Sequence, residues 1–303
     1  QPRVVLREVY PLDAEPDALS PHPCECDDAE WWARFEAELA RDLGVARNRR
    51  IATVGRHDAV GSARHVVHSA GSSPTATIAE LVSSGAGVLA VAADASRRAA
   101  LANGATGLAR FNGGAALIAC HRCGAGTVAN LASRADSGLA LVDYAALAMS
   151  PDLAASFEHV VLVDPPRSAA DVQRATYGEG FLHPLFSEAE RQFGLGVLGR
   201  QAPSRETIVG VFRALRTGGQ MSGAELRGAL AGPGPHTLGP ETAARCFRVL
   251  RELQLVAGDT NAGAGSAGVV SSEGTAVERS NAFRVYSEEH SEAQSFLQSQ
   301  KFP

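Results

Sequence analysis

The stretch GLALVDYAALAMSPDLAASFEHVVLVDPP, residues 138–166, decides the fold. Two runs, Gly138–Val142 (GLALV) and His159–Val163 (HVVLV), are apolar at successive positions, and a short helical stretch, Leu153–Phe157, lies between them. A strand with one wet face alternates apolar with polar, whereas a strand that is apolar throughout is covered on both faces, as in a parallel sheet. The alternation of strand and helix extends backwards. Ile51–Gly55, Gly87–Ala93 and Ala115–Ala119 read as strands; Thr77–Ser84, Ser96–Asn103 and Gly126–Ser133 read as helices. The expected fold class is therefore α/β, a parallel sheet with helices on both faces, Rossmann- or RecA-like, over residues 51–166.

After Asp164-Pro165-Pro166 the pattern turns helical. Ser187–Leu198, Ser204–Arg216 with Ser204 as cap, Ser222–Leu230 with a capping-box pair Ser222…Glu225, and Pro240–Leu253 are the expected helices. Gly258–Ala276 reads as a mobile Gly/Ala/Ser loop, Ala282–Tyr286 as a strand and Glu288–Gln300 as a terminal helix. Helices followed by strand, loop and strand give a winged-helix-like domain over 167–303. At the other end, Val4–Pro11 reads as a strand without a neighbouring partner, and Trp31–Leu43 as a helix following a Pro- and Cys-bearing linker, together residues 21–50. The chain starts without Met, already in strand-like alternation, as though cut from a longer protein.

Charge and composition exclude several classes. Lys and Arg total 28 against 33 Asp and Glu, a formal charge of −5, so no uniformly basic nucleic-acid binder is present, although a local basic face is allowed. Lys301 is the only lysine. A phosphate loop of the GxxxxGK[ST] type needs its lysine, which excludes a P-loop NTPase, and a lone lysine third from the end of the chain argues against a buried Schiff-base lysine. The apolar runs Ala86–Ala93 and Gly138–Met149 are shorter than the roughly 18 residues that span a bilayer, and no signal segment opens the chain. Five cysteines, an odd number in a long chain, do not read as a secreted disulfide framework, and the expected compartment is the cytoplasm.

Four motifs carry possible chemistry, each beside a plainer role. Asp94, Asp143 and Asp164 follow three expected parallel strands, where carboxylates could share a divalent metal or simply cap the next helix. Cys120-His-Arg-Cys123 and Cys24-x-Cys26 could supply four thiolates to zinc or a redox pair, or could serve as small core hydrophobes. Gly124-Ala-Gly126-Thr-Val-Ala129 is a GxGxxA between strand and helix, with Asp143 about 20 residues on, as in dinucleotide sites. It follows two earlier strands, however, and glycine is common throughout the chain. No HExxH, GxSxG or DHH motif occurs.

Arginine placement is the fourth signal. Between Arg200 and Val256 there are eight Arg against four Glu. Arg245, Arg248 and Arg251 recur every third residue along the helix that holds the recognition position in a winged helix. With Arg205, Arg213 and Arg216 they form a candidate phosphate-contacting set, against the plainer reading of a solvated helix face.

The runs GLALVDYAAL (138–147), HVVLVDPP (159–166), GEGFLHPLFSEAERQFGLGVL (178–198), SRETIVGVFRALR (204–216) and CFRVLRELQLV (246–256) together resemble the C-terminal part of actinobacterial-type RecJ, the single-strand-specific 5′→3′ DNA exonuclease of the DHH phosphoesterase superfamily. The resemblance spans about Leu81 to Val256, with Glu190 in its most specific stretch, and the opening PRVVLREVYPL resembles the last strand of the family's OB-type domain, residues 1–20. It implies a parent enzyme that uses manganese or magnesium in recombination and repair, alongside helicases and single-strand-binding protein. The family's DHH and GGH-type motifs have no counterpart here. The expectation is thus a non-catalytic accessory segment that binds single-stranded DNA or a repair partner, with no metal or cofactor of its own and no membrane contact. The alternative expectation is a nucleotide-binding α/β enzyme using Gly124–Ala129 and Asp143.

Overall fold

The apolar runs that decide the fold lie inside a six-stranded sheet in which every paired neighbour is parallel. The computed structural model describes residues 14–44, 64–68, 73–108, 114–234 and 236–300. The chain divides into two units, one of Gln1–Cys24, Gly61–Val197 and Phe296–Pro303, the other of Glu25–Val60 and Leu198–Ser295. Helix α1 (Asp28–Ala40) belongs to the second and is described with it.

The first unit runs β1 (His65–Val66), α2 (Pro74–Ser83), β2 (Gly87–Ala92), α3 (Ala99–Leu108), β3 (Leu117–Ala119), α4 (Ala125–Asn130), β4 (Gly138–Asp143), α5 (Tyr144–Leu147), β5 (His159–Leu162), α6 (Ala169–Ala175) and β6 (Phe181–Pro184). Helix α7 (Glu188–Gln201) follows. The sheet order is β1-β6-β5-β2-β4-β3. β2 and β4 lie side by side in its interior with Gly87 opposite Gly138 and Ala92 opposite Asp143, and both are buried at every position. That double burial is why their sequences lack alternation. Their helices carry small residues inward: Ala79 on α2 and Ala99, Ala102 and Ala105 on α3 are buried. The sheet takes β6 from beyond residue 166, so this unit continues to Val197 rather than ending at the Pro-Pro turn. Helix α3 starts at Ala99, not Ser96, because the Asp94 carboxylate accepts from the Ser96 and Arg97 amides and holds 95–98 as a turn. Leu153–Ser156 is a single 3-10 turn.

The second unit comprises α1, α8 (Arg205–Gly218), β7 (Met221–Ser222), α9 (Gly223–Ala231), α10 (Pro240–Glu252), β8 (Val256–Asp259), β9 (Ser266–Val269) and α11 (Asn281–Ser299), whose last residues fall in the first unit. Three helices with an antiparallel sheet of order β7-β9-β8 make the winged-helix arrangement. Ser204 caps α8 as expected, accepting from Thr207 N at 3.1 Å, and Pro240 opens α10. The Ser222…Glu225 capping box does not form: Ser222 makes no side-chain cap and lies in β7, paired with Ser266.

Two expectations are corrected in this unit. Ala282–Tyr286 is helix, not strand. Ala282, Val285 and Tyr286 are its buried residues, at helical spacing, and the N-terminus is held by Ser280 Oγ and the Glu252 carboxylate, which accept from the Phe283 and Ala282 amides. The expected mobile loop 258–276 instead contains the hairpin β8–β9. Two of its glycines, Gly258 and Gly263, serve close approach rather than looseness. A Cβ on Gly258, at φ +142°, would stand 2.2 Å from Ser266 O, and one on Gly263, at φ +88°, 2.4 Å from Trp32 Nε1. The strands read at Val4–Pro11 and Ile51–Gly55 lie outside the described residues, and no helix among those described is long and apolar enough to cross a membrane.

The seat of the wing against α1 gives a stability test. Gly263→Ala combines left-handed backbone strain with an overlap on the Trp32 ring. Its urea midpoint, followed by tryptophan fluorescence, is expected to fall by an amount equivalent to roughly 1–3 kcal/mol. Gly274→Ala, where a Cβ meets nothing within 4 Å, is the control and is expected to leave the midpoint in place.

Candidate functional site

The carboxyl ends of the central strands carry the three aspartates singled out from sequence, all of them buried. Each is committed to its own nitrogen partner. Asp94 binds Arg97 (2.7 Å) and the Ser96 hydroxyl (2.9 Å). Asp143 caps α5 through the Ala146 amide (2.8 Å), and its other oxygen takes both the amide and the Nδ1 of His121, each at 2.9 Å. Asp164 accepts from Ala93 N (2.9 Å) and is clasped by the Nε and Nη2 of Arg98, a side chain with no exposed surface. Burial alone would raise the Asp94 carboxyl, yet His121, Arg97 and Ser96 together hold it below its ordinary value. Burial raises the Asp164 carboxyl, with Arg98 working against it. Burial would lower His121, but Asp143 and Asp94 keep it raised. The shared divalent site imagined for these carboxylates is not assembled: among the described residues they form no common donor group, and the capping role holds for Asp143.

The Gly124–Ala129 motif sits where a dinucleotide fingerprint would, with Gly124 as the N-cap of α4 after β3. But α4 has six residues, β3 is an edge strand, and both oxygens of Asp143 are occupied as described above. Glu190 is buried and accepts from the Ser187 amide and hydroxyl, fastening the start of α7.

The six arginines of the winged-helix unit separate into two kinds. The face of α10 expected to be presented as a recognition surface is covered by α1. Arg245 Nε binds Glu38 of α1 (3.0 Å) and lies over the Tyr286 ring; Arg248 donates to the carbonyls of Arg41 (2.7 Å) and Leu39 (3.3 Å). Trp31, Trp32 and Phe35 of α1 form an aromatic cluster that reaches Phe247 of α10. Arg34 clasps Glu241 and Arg41 clasps Glu289, each through two nitrogens. The others face solvent. Arg205 is exposed and paired with Glu278. Arg213, Arg216 and Arg251 are exposed with no acidic partner among the described residues, and Arg216 lies over Phe212.

One feature was legible in part from sequence and two were missed. Cys24, Cys120 and Cys123 converge in the first unit, while Cys26 and Cys246 are buried in the core of the second. His159 and His183 meet ring to ring, Nδ1 to Nε2 at 3.0 Å, because the β5–β6 register sets Val161 opposite His183. Arg64 is buried and spends its donors on the carbonyls of Ala154, Phe157, Glu158 and Tyr177. No family model, curated protein or solved structure matches this chain.

Two tests follow from this site. Asp164→Asn leaves Arg98 buried without its counter-charge, and the folding free energy from urea titration is expected to fall by about 3–5 kcal/mol. Burial, reinforced by the His159 charge, pushes His183 down from 6.5 to about 4. The fold therefore holds it neutral while the unfolded chain takes up a proton as pH drops below the ordinary value. Stability is lost on acidification through this window, by roughly 3 kcal/mol between pH 7 and 4. In His183→Gln that component is expected to be missing, so the fall in urea midpoint from pH 7 to pH 4 is expected to be smaller than in the wild type.

Proposed function

We propose that this chain is the non-catalytic accessory region of a RecJ-like 5′→3′ single-stranded-DNA exonuclease acting in the cytoplasm in recombination and repair, and that it grips the strand through Arg213, Arg216 and Arg251. The observation that carries this reading is the division among the arginines: those three are exposed with no carboxylate partner among the described residues, whereas Arg245 and Arg248 are spent on α1. Exposed guanidinium groups not held by carboxylates can bind phosphate, and such contacts give affinity without reading bases. A groove-reading role for α10 is not supported, since α1 lies over it. Cleavage, with its manganese or magnesium, is assigned to the parent enzyme's other domains, and a helicase or single-strand-binding protein is the partner class that such a region would meet. The nucleotide-binding alternative finds less support, because the Asp143 oxygens that would take ribose hydroxyls already hold His121 and the start of α5.

Anisotropy with a labelled single-stranded oligonucleotide tests the proposal. Arg213→Ala, Arg216→Ala and Arg251→Ala combined are expected to weaken binding about tenfold or more at low salt, and to lower the salt slope by about 2. Arg245→Ala is expected to cost about 1–3 kcal/mol of stability instead, because buried Glu38 loses a partner. Unchanged affinity in the triple variant would sink the reading, as would manganese-dependent cleavage of the oligonucleotide by this chain alone.

A further inference from the structure

The CxxC turn after β3 and the segment ahead of α1 bring three sulfurs together in the first unit. Cys24 and Cys123, 99 positions apart, are joined as a disulfide, and Cys120 Sγ stands 3.9 Å from Cys123 Sγ. All three sulfurs lie within 4.8 Å of one another. The turn is closed by Cys123 N donating to Cys120 O (2.8 Å), and the Cys120 amide donates to Cys123 Sγ (3.2 Å), a bond that favours a thiolate at that sulfur. Cys120 and Cys123 are fully buried, and Cys24 packs against the same core.

We propose that Cys24, Cys120 and Cys123, when reduced, form a three-thiolate site for a soft divalent cation of the zinc class. The spacing fits: zinc–sulfur bonds of about 2.3 Å in tetrahedral array put neighbouring sulfurs about 3.8 Å apart, close to the 3.9 Å between Cys120 and Cys123. A second donor group, Cys120 with His121 and Asp143, adjoins the first through the shared sulfur, so His121 or solvent supplies the fourth position. Asp143 already holds the His121 ring at Nδ1, the way a carboxylate orients a ligating or neighbouring imidazole.

A bound cation displaces the thiol protons of the three cysteines. The disulfide is the oxidised form of the same site. It opens when a dithiol delivers two electrons and two protons, giving the Cys24 and Cys123 thiols while the dithiol closes to its own disulfide; zinc then displaces the thiol protons. The metal fastens the segment that carries Cys24 to the carboxyl end of the sheet, where His22 N already donates to Ser96 O (2.8 Å).

The test uses the full chain, reduced with a dithiol and freed of metal. Equilibrium titration with zinc is expected to give one equivalent bound, and cobalt in its place is expected to give the intense visible bands of a tetrahedral thiolate complex. Cys120→Ser is the deciding variant, because the Cys24–Cys123 disulfide survives it and a three-thiolate site does not. It is expected to weaken zinc binding by more than about a hundredfold, with Cys246→Ser unchanged. Circular dichroism of Cys120→Ser establishes that the fold persists; should it be lost, cobalt spectra of Cys24→Ser take its place. Absence of zinc binding by the reduced chain, or wild-type affinity in Cys120→Ser, overturns the proposal.

Discussion

The first unit depends on a buried ion pair. Arg98 and Asp164 have no exposed surface, and they meet just beyond the carboxyl ends of β2 and β5. Removing two charges from water is costly, and the cost is offset only where the remaining donors and lone pairs are also used. Here they are. Asp164 takes the Ala93 amide as well, its carbonyl accepts from the Tyr144 hydroxyl at 2.7 Å, and the guanidinium lies 3.6 Å over the Phe193 ring of α7. One pair thus ties the turn after β2, the end of β5, the first residue of α5 and a helix beyond the sheet.

In the second unit, arginine is used the same way at a helix surface. A row of cations on α10 resembles a nucleic-acid face in sequence, yet Arg245 and Arg248 bind Glu38 and the last carbonyls of α1. The guanidinium suits this task because it donates in several directions from a plane that also lies over Tyr286. What differs between a phosphate-binding row and an internal fastening is the presence of a covering helix, and α1 lies about 200 residues away in sequence.

The legible part of the fold was the part set by local pattern. Continuous apolar runs marked β2, β4 and β5, and caps or prolines marked α8 and α10. Ala282–Tyr286 misled because five residues hold both an alternating and a helical reading, and only burial of Ala282, Val285 and Tyr286 chooses between them. Gly258 and Gly263 misled because glycine permits both looseness and close contact, and the contact lies with Ser266 and Trp32. The cysteine cluster was half legible: the CxxC was visible, but Cys24 rather than Cys26 completing it depends on the path of the segment before α1.

Among the described residues, the two rims of the six-stranded sheet are its shortest members, β1 with two residues and β3 with three. Unpaired amides and carbonyls along a rim are a template on which a foreign strand can add, and the hazard grows with the length of flat backbone on offer. Keeping the long, uniformly apolar strands in the middle and ending on stubs leaves little for such an addition to grip. Aliphatic stretches that would be prone to polymerise if exposed are thereby held away from both margins.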